Sequence, residues 1–341
     1  MDALTVAALF GILLSLVFAF TNGYNDAGAD VATIVSSGAS SVKGALLMAG
    51  ASNFVGAIIG GSAVVLTLQG VLTNEITSLG LAIFSAVAAA NVWNVVTWYY
   101  GIPSSSTHAL IGGLIGVGIA FHGITGVNWG WSELLAGHLT GVAKVLVFLL
   151  ASVVLGFGGS FILMKVARLF LRKATVNVNR PMKRLQWFTT GIQTLAHGAN
   201  DAQKQMALIA LLLMAMGSST LEVPLWVRVA CAAAMALGTL GGGYRIMRTV
   251  GRKIFKIRPV HALVAQTNSS LTVIFATFLG APVSSTQVVT AGVMGVGSAE
   301  NRRLVHWRVG KDLVVSWFMT IPAAAVLSAV IVFVMRALLG V

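Results

Sequence analysis

Two short polar motifs, each centred on an Asn-Asp pair, interrupt apolar segments of the 341-residue chain. Residues 23–27 read Gly-Tyr-Asn-Asp-Ala, and residues 198–202 read Gly-Ala-Asn-Asp-Ala. An ionised side chain within a membrane costs several kcal/mol unless it is paired or faces a cavity, so these acids indicate function. Carboxylate, amide and carbonyl oxygens can hold a proton or a small cation. A possible sodium ion would be bound by Asp26, Asn25, Asp201 and Asn200.

Two hydroxyl-rich segments form the second constellation. Residues 103–107 read Pro-Ser-Ser-Ser-Thr and residues 282–286 read Pro-Val-Ser-Ser-Thr, each followed by a glycine-rich apolar run. Proline in the first turn is typical of a helix N-terminus, whose free N–H groups and dipole attract anions. Two such ends could clasp one tetrahedral oxyanion, although the same residues could instead only cap and pack half-helices. The predicted anion ligands are Ser105, Ser106, Thr107, Ser284, Ser285 and Thr286.

Both kinds of motif occur twice and in the same order. The sequence offset from Asp26 to Asp201 is 201 − 26 = 175, and the offset from Pro103 to Pro282 is 282 − 103 = 179. The shared order and the nearly equal offsets indicate that the chain is an internal duplication.

The composition excludes an ordinary soluble protein. The chain is 57% hydrophobic and 9% charged, whereas a soluble domain has about 25% charged residues. The net charge of +13 comes from basic residues between apolar spans, which argues against a nucleic-acid partner. Cys231 is the only cysteine, lies in an apolar run and is expected to be a small buried hydrophobic residue.

Apolar segments of about 20 residues are long enough to cross a membrane. The predicted spans are 3–20, 44–68, 79–100, 134–164, 186–197 continuing through 205–216, 223–243, 260–279 and 312–338. Residues 3–20 have no preceding Lys or Arg and no cleavage site, so they are predicted to be a retained first helix. The shorter pieces 26–38, 103–121 and 282–298 are predicted to be half-helices or re-entrant hairpins that line a cavity.

Basic residues segregate to particular loops, and the positive-inside rule places these loops in the cytoplasm. They are 165–184, 245–258 and 302–311. The segments 69–78, 122–133 and 214–223 lack Lys and Arg and contain Glu75, Glu133 and Glu222. We predict that they lie outside, together with both chain termini. Equivalent loops of the two repeats then fall on opposite faces, which is the inverted topology of secondary transporters.

The sequence thus predicts an all-α polytopic membrane protein. Two inverted-topology repeats, with broken helices and re-entrant hairpins, would meet at a site near the membrane midplane. Residues 1–164 form the first predicted repeat, 165–184 a basic cytoplasmic linker, and 185–341 the second repeat.

The motifs within residues 20–35, 103–108, 197–204 and 282–286 resemble those of the inorganic phosphate transporter (Pit) family, in particular its bacterial low-affinity phosphate permeases. The resemblance covers essentially the whole chain. It implies an inverted-repeat symporter, usually dimeric, that moves phosphate with sodium ions or protons. It also implies that Asn25 and Asn200 join the serine and threonine hydroxyls in binding the substrate.

The sequence departs from the sodium-coupled members of this family. Those members carry Asn three residues after each motif Asp, where this chain has Ala29 and Lys204, and Asp30 is an additional acid. The loss of two amide ligands argues against a symmetric sodium site, and an ammonium group can take the place of a cation. The Gln203-Lys204 pair resembles the branch usually regarded as proton-coupled. The predicted ion-coupling residues are Asp26, Asp201, Lys204, Asp30 and Gln203.

The sequence leaves the roles of several other residues open. His108 and His197 adjoin the motifs and could relay protons, but His108 corresponds to Gln287, which favours hydrogen-bonded packing. Lys144 and Asp312 lie in or near apolar spans and could form an ion pair. Gly56 and Gly238, with the glycines that follow each, predict close helix packing.

The combined prediction is a secondary symporter that imports inorganic phosphate across the cytoplasmic membrane by alternating access, coupled to protons rather than sodium. A permease for sulfate, arsenate or another tetrahedral oxyanion is the alternative, and an anion channel is a more distant one. An intramembrane hydrolase would need Ser105, Ser106, His108 and Asp26 to act together, but Gly-x-Ser-x-Gly is absent. We expect no enzymatic activity, no cofactor besides the coupling ion, and a homodimer in the lipid bilayer.

Overall fold

The computed structural model describes residues 3–73, 78–218 and 222–339. Glu75 and part of the segment 214–223 lie outside these residues. The described residues are overwhelmingly helical. The α-helices are α1 (Ala3–Asp30), α2 (Ala32–Ser36), α3 (Val42–Ile59), α4 (Ala63–Gln69), α5 (Leu79–Tyr100), α6 (Ser106–His122), α7 (Trp131–Leu135), α8 (Gly141–Phe170), α9 (Asn179–Ala215), α10 (Leu225–Gly241), α11 (Tyr244–Arg248), α12 (Pro259–Phe278), α13 (Ser285–Asn301) and α14 (Trp307–Leu339).

Within the described part of the chain, six helical segments are long and apolar enough to cross a membrane. The bent pair formed by α10 and the helical stretch from Tyr244 to Lys253 brings the number to seven, with an angle of 57° at the break. The helices α8 and α14 expose many of their apolar side chains, including Leu150 and Phe333. This exposure suits helices that face lipid, so the protein is a multi-pass membrane protein.

The two helices that carry the Asn-Asp motifs are continuous through them. α1 runs from Ala3 to Asp30, and α9 runs for 37 residues from Asn179 to Ala215. The sequence predicted a half-helix beginning at residue 26 and a span divided between 186–197 and 205–216. The structure differs because the polar side chains find partners on neighbouring helices. The interruptions lie instead between α1 and α2 and between α10 and α11. α8 continues to Phe170, within the predicted linker.

Glycines let the two repeats interlock. A Cβ added at any of four glycines would lie 2.0–2.2 Å from a backbone carbonyl oxygen of the facing helix. These glycines are Gly23, Gly56, Gly198 and Gly238. They bring α3 of the first repeat against α9, and α10 of the second repeat against α1. The predicted close packing at Gly56 and Gly238 is confirmed, and the motif helix of each repeat is held by a helix of the other.

Two helical hairpins, α5–α6 and α12–α13, turn at Gly101 and Gly280. These glycines have φ of +65° and +64°, a left-handed conformation that L-residues with side chains rarely adopt. The hairpin tips touch, because the Thr107 hydroxyl donates to the carbonyl of Val283 at 3.0 Å. α6 and α13 therefore begin next to each other in the interior.

Candidate functional site: a buried acid cluster between two helix N-termini

The imidazole of His197 lies between the two motif acids. Its Nε2 is 3.5 Å from Oδ2 of Asp26 on α1 and 3.7 Å from Oδ2 of Asp201 on its own helix α9. All three side chains are buried. One donor atom from each of the three residues lies within 4.8 Å of the others, so they could share one cation or one proton.

A third acid orients this histidine. Nδ1 of His197 makes a short hydrogen bond with Oδ2 of Asp30, the last residue of α1. Gln193, one turn before His197, donates to the backbone carbonyl of Asp30 at 3.3 Å. With Nδ1 engaged by Asp30, the other ring nitrogen points at Asp26 and Asp201. The additional acid noted in the sequence is therefore part of the cluster.

Lys204 is completely buried beside Asp201. Its Nζ lies 2.9 Å from Oδ1 of Asp201, one helical turn away. It also donates to the hydroxyl of Thr107 at 2.5 Å and to the carbonyl of Val283 at 2.7 Å. A buried ammonium is tolerated only when it is paired and hydrogen-bonded, and these three oxygens meet that requirement. Lys204 thereby joins the motif of α9 to both hairpin tips.

The first-repeat acid has a different set of partners. The hydroxyl of Thr286, at the start of α13, donates to Oδ1 of Asp26 at 2.5 Å. Asn22, one turn before Asp26, donates across the repeat interface to Oδ2 of Asp201 at 3.1 Å. Each acid is therefore held by at least one residue from the other half of the chain.

The six predicted hydroxyl ligands divide into three pairs. Ser105 and Ser284 are N-cap residues, since each side chain accepts a hydrogen bond from a backbone N–H of its own helix. Thr107 accepts a hydrogen bond from Lys204, and Thr286 donates one to Asp26.

The third pair is Ser106 and Ser285, the first residues of α6 and α13. Ser285 Oγ is buried and has no hydrogen-bond partner among the described residues. A helix N-terminus with an uncommitted hydroxyl is suited to an anion. Ser285 therefore has a hydroxyl that is free to bind an anion, and Ser106 holds the same position at the start of α6.

The motif asparagines fasten the hairpins. Asn25 donates to the backbone carbonyl of Asn94 on α5 at 3.0 Å. Asn200 donates to the carbonyl of Ala281 at 3.0 Å and accepts from the N–H of Val283 at 3.2 Å. In this conformation the side chain of Asn200 is occupied by the hairpin backbone.

Gln203 makes its hydrogen bonds to backbone groups and not to the acid cluster. Its Oε1 accepts from the N–H of Val64 at 2.8 Å, and its Nε2 donates to the carbonyl of Ala199 at 2.8 Å. The side chain thus ties the start of α4 to α9. Lys144 donates to Thr67 at 3.0 Å, and Asp312 is exposed on α14.

His108 packs against its repeat counterpart. Its Nδ1 is 3.3 Å from Nε2 of Gln287, in agreement with the packing role favoured by the sequence. Asp26 faces His197 and Thr286 instead. The Ser-His-Asp arrangement required by the hydrolase alternative is accordingly not formed.

Four residues of this region, His197, Asn22, Gln193 and Asn94, carry little or no signal in the sequence alone. The repeat offset carried a signal for one of them, because 197 − 22 is also 175 and both residues are polar. Asn94 is buried, and neither its side-chain nitrogen nor its side-chain oxygen has a partner among the described residues. Nothing in its local sequence distinguishes it from other polar residues of α5.

Each hairpin is also held at its turn by a hydrogen bond from a threonine of the other repeat. Thr67 on α4 donates to the carbonyl of Gly280 at 2.6 Å. Thr249, just after α11, donates to the carbonyl of Gly101 at 3.1 Å. The offset from Gly101 to Gly280 is 280 − 101 = 179, the same as that of the hairpin motif. We call these two contacts the hairpin latches.

An interlocked duplication whose acids and hairpin ends converge in the interior is consistent with a membrane transporter. The sequence matches the phosphate transporter family twice, over residues 22–180 and 171–328. The chain belongs to this family, and a double match is consistent with an internal duplication.

Relatives span the whole chain. A probable low-affinity inorganic phosphate transporter of Bacillus subtilis (strain 168) is 36% identical over 340 residues, covering 98% of this chain and 99% of the relative. A protein of the same description from Rhizobium meliloti (strain 1021) is 39% identical over 346 residues, covering 98% of each. A solved structure described as the sodium-dependent phosphate transporter has a TM-score of 0.86 at 26% identity, covering 97% of this chain and 99% of that one. The family and these relatives are transporters, not enzymes.

Proposed function

We propose that this protein is a symporter that imports inorganic phosphate across the cytoplasmic membrane by alternating access, with protons as the coupling ion. The observation that carries the proposal is the position of the acid cluster. Asp26 and Asp201 touch the first turns of α13 and α6 through Thr286 and through Lys204 with Thr107. An anion bound at these helix N-termini would lie next to the groups that bind the coupling ion.

The charge of the cluster favours one additional positive charge. Three carboxylates, Asp26, Asp30 and Asp201, face the ammonium of Lys204 and the imidazole of His197. With the imidazole protonated, the sum is −1. A buried net charge is unfavourable, so uptake of one proton or one monovalent cation would stabilise the site. The proton would be shared between Asp26 and the imidazole of His197, whose Nε2 lies 3.5 Å from Oδ2 of Asp26.

The ligand set favours a proton over sodium. An ammonium group lies beside Asp201, and an imidazole nitrogen lies between Asp26 and Asp201. Hard cations such as sodium bind several oxygen ligands at once. Carboxylates and imidazole, by contrast, exchange protons readily. Sodium coupling is the alternative, supported by the description of the structural neighbour as sodium-dependent.

Phosphate is the proposed substrate because the relatives carry that description. Neutral hydroxyls, helix N-termini and a single nearby ammonium can hold an oxyanion without the tight grip of an arginine cage. Sulfate and arsenate have the same tetrahedral shape and form the alternative substrates. A homodimer, with both chain termini outside the cell, completes the proposal.

The test is uptake of radiolabelled phosphate into proteoliposomes. We expect phosphate to accumulate in the liposomes when the outside is more acidic than the inside and no sodium is present. A sodium gradient imposed at matched pH should give no additional accumulation. Excess unlabelled sulfate should compete poorly. Uptake that ignores pH and follows sodium would overturn proton coupling, and equal competition by sulfate would overturn the substrate. Counterflow of labelled phosphate would exclude the channel alternative.

A further inference from the structure

We infer that the ammonium of Lys204 is a resident cation: it permanently fills one of two repeat-related cation positions, so that only the position beside Asp26 exchanges an ion during transport. This inference rests on the proposed symport and specifies its ion coupling. It concerns a side chain of the protein itself acting where a transported ion would otherwise bind.

The atoms around Lys204 Nζ are those of a small-cation site. They are a carboxylate oxygen of Asp201 at 2.9 Å, the hydroxyl of Thr107 at 2.5 Å and the carbonyl of Val283 at 2.7 Å. The three oxygens come from α9, from α6 and from the tip of the α12–α13 hairpin. Sites for hard cations are built from the same mixture of carboxylate, hydroxyl and carbonyl oxygens. The ammonium therefore links three separate elements as a bound cation would.

The repeat offsets identify the counterpart of this position. Asp26 corresponds to Asp201 and Ala29 to Lys204, since 201 − 26 and 204 − 29 are both 175. Thr286 corresponds to Thr107 by the offset of the hairpin motif, 286 − 107 = 179. By the same offset the carbonyl of Ser104 corresponds to that of Val283. By these offsets the first repeat has a counterpart for each of the three oxygen-bearing residues, and at Ala29 it has a methyl group where the second repeat has the ammonium.

The hydrogen bonds differ accordingly between the two positions. Thr286 donates directly to Asp26 at 2.5 Å, whereas Thr107 accepts from Lys204 and donates to Val283. Among the described residues, the titratable base that faces Asp26 is His197 at 3.5 Å, and no lysine takes the place of Lys204 there. The two repeats are alike in fold and unlike in charge, and only the Asp201 side carries a fixed ammonium.

A resident cation has one consequence for the transport cycle and one for substitutions of Lys204. Lys204 stays with the protein, so it contributes charge for anion binding without consuming the ion gradient. Removing the ammonium while leaving an empty volume should convert its position into a site for an exchangeable cation. Removing the charge while filling the volume should not create such a site.

The experiment compares Lys204→Ala with Lys204→Met in purified, detergent-solubilised protein. Phosphate binding is measured by calorimetry in choline chloride, sodium chloride and ammonium chloride at equal ionic strength. We expect Lys204→Ala to bind phosphate at least about tenfold more weakly than wild type in choline, since a charged hydrogen-bonding partner is lost. Sodium or ammonium should restore most of that affinity. Lys204→Met should be equally weak and should not be restored by either ion.

Thermal unfolding without phosphate gives a second readout that does not depend on the substrate. Sodium or ammonium should raise the Tm of Lys204→Ala relative to choline, because an ion that binds only the folded state stabilises it. Wild type and Lys204→Met should show no such increase. Wild-type affinity of Lys204→Ala in choline, or equal responses of the two variants to small cations, would overturn the resident cation. Failure of wild type to bind phosphate would instead refute the proposed substrate, and the Tm comparison would still decide the role of Lys204.

Discussion

Asn22 and His197 hold equivalent positions in the two repeats, and each reaches across the repeat interface to the acid of the other. Asn22 donates to Asp201 at 3.1 Å, and Nε2 of His197 lies 3.5 Å from Asp26. The two contacts are equivalent in the two repeats, but Asn22 supplies an amide and His197 an imidazole. Because only the imidazole can carry a proton, we expect the two repeats to contribute differently to coupling.

Replacing His197 by Asn would give both repeats the same residue. We expect His197→Asn to retain phosphate binding and to lose most pH-driven accumulation, because the imidazole that joins three carboxylates is gone. Uptake under an imposed pH gradient and binding by calorimetry separate the two effects. His108→Gln is the matched control, since it also converts a histidine to its repeat counterpart and should leave coupling intact. Equal loss of coupling in both variants would remove His197 from a special role.

The carboxylates of Asp26 and Asp201 are predicted to serve coupling more than anion binding. Asp→Asn keeps the size and much of the hydrogen bonding and removes the charge. Asp26→Asn and Asp201→Asn should each abolish gradient-driven accumulation in liposomes while reducing phosphate affinity less. Full accumulation by both variants would exclude these acids from coupling.

Ser106 and Ser285 are predicted to contact the anion, unlike the serines that precede them. Ser106→Ala and Ser285→Ala should each weaken phosphate binding by about 1–2 kcal/mol for the lost hydroxyl. Ser105→Ala and Ser284→Ala should instead lower thermal stability by about 1 kcal/mol, because those side chains cap α6 and α13. Calorimetry and thermal unfolding of all four variants check this division, which fails if the capping serines matter more for affinity.

The hairpin latches are predicted to open alternately. Thr67→Val and Thr249→Val each remove one hydroxyl donor to a hairpin glycine while keeping the side-chain volume. We expect Thr67→Val to increase access to the site from outside and Thr249→Val to increase it from the cytoplasm. The measurement is labelling of a cysteine at position 106, in a Cys231→Ala background, from each side of oriented vesicles. Shifts in the same direction would contradict alternating latches.

The orientation in the membrane can be tested at exposed positions. Glu133 lies in the segment predicted outside, and Lys253 in a basic loop predicted to be cytoplasmic; both side chains are exposed. In a Cys231→Ala background, Glu133→Cys should react with an impermeant reagent added outside intact cells, and Lys253→Cys only after permeabilisation. The reverse pattern would invert the proposed topology and with it the direction of each latch.

Sequence alone determined the class of this protein, its duplication and the residue types of its candidate site. Composition and charge segregation reflect the membrane directly, and the spacing of Asp26 and Asp201 survives because the repeats kept nearly equal lengths. The pairing of Lys204 with Asp201 was also within reach, since residues three apart share a helix face.

Only the tertiary structure decided which of these side chains meet. Asp30 and His197 are 167 residues apart in sequence, and Thr107 and Lys204 are 97 apart. Their contacts arise because glycines let helices of one repeat pack closely on motif helices of the other, and no local pattern encodes that exchange. The continuity of α9 has the same origin: the neighbouring helices supply the polar partners, so the backbone at the motif need not unwind.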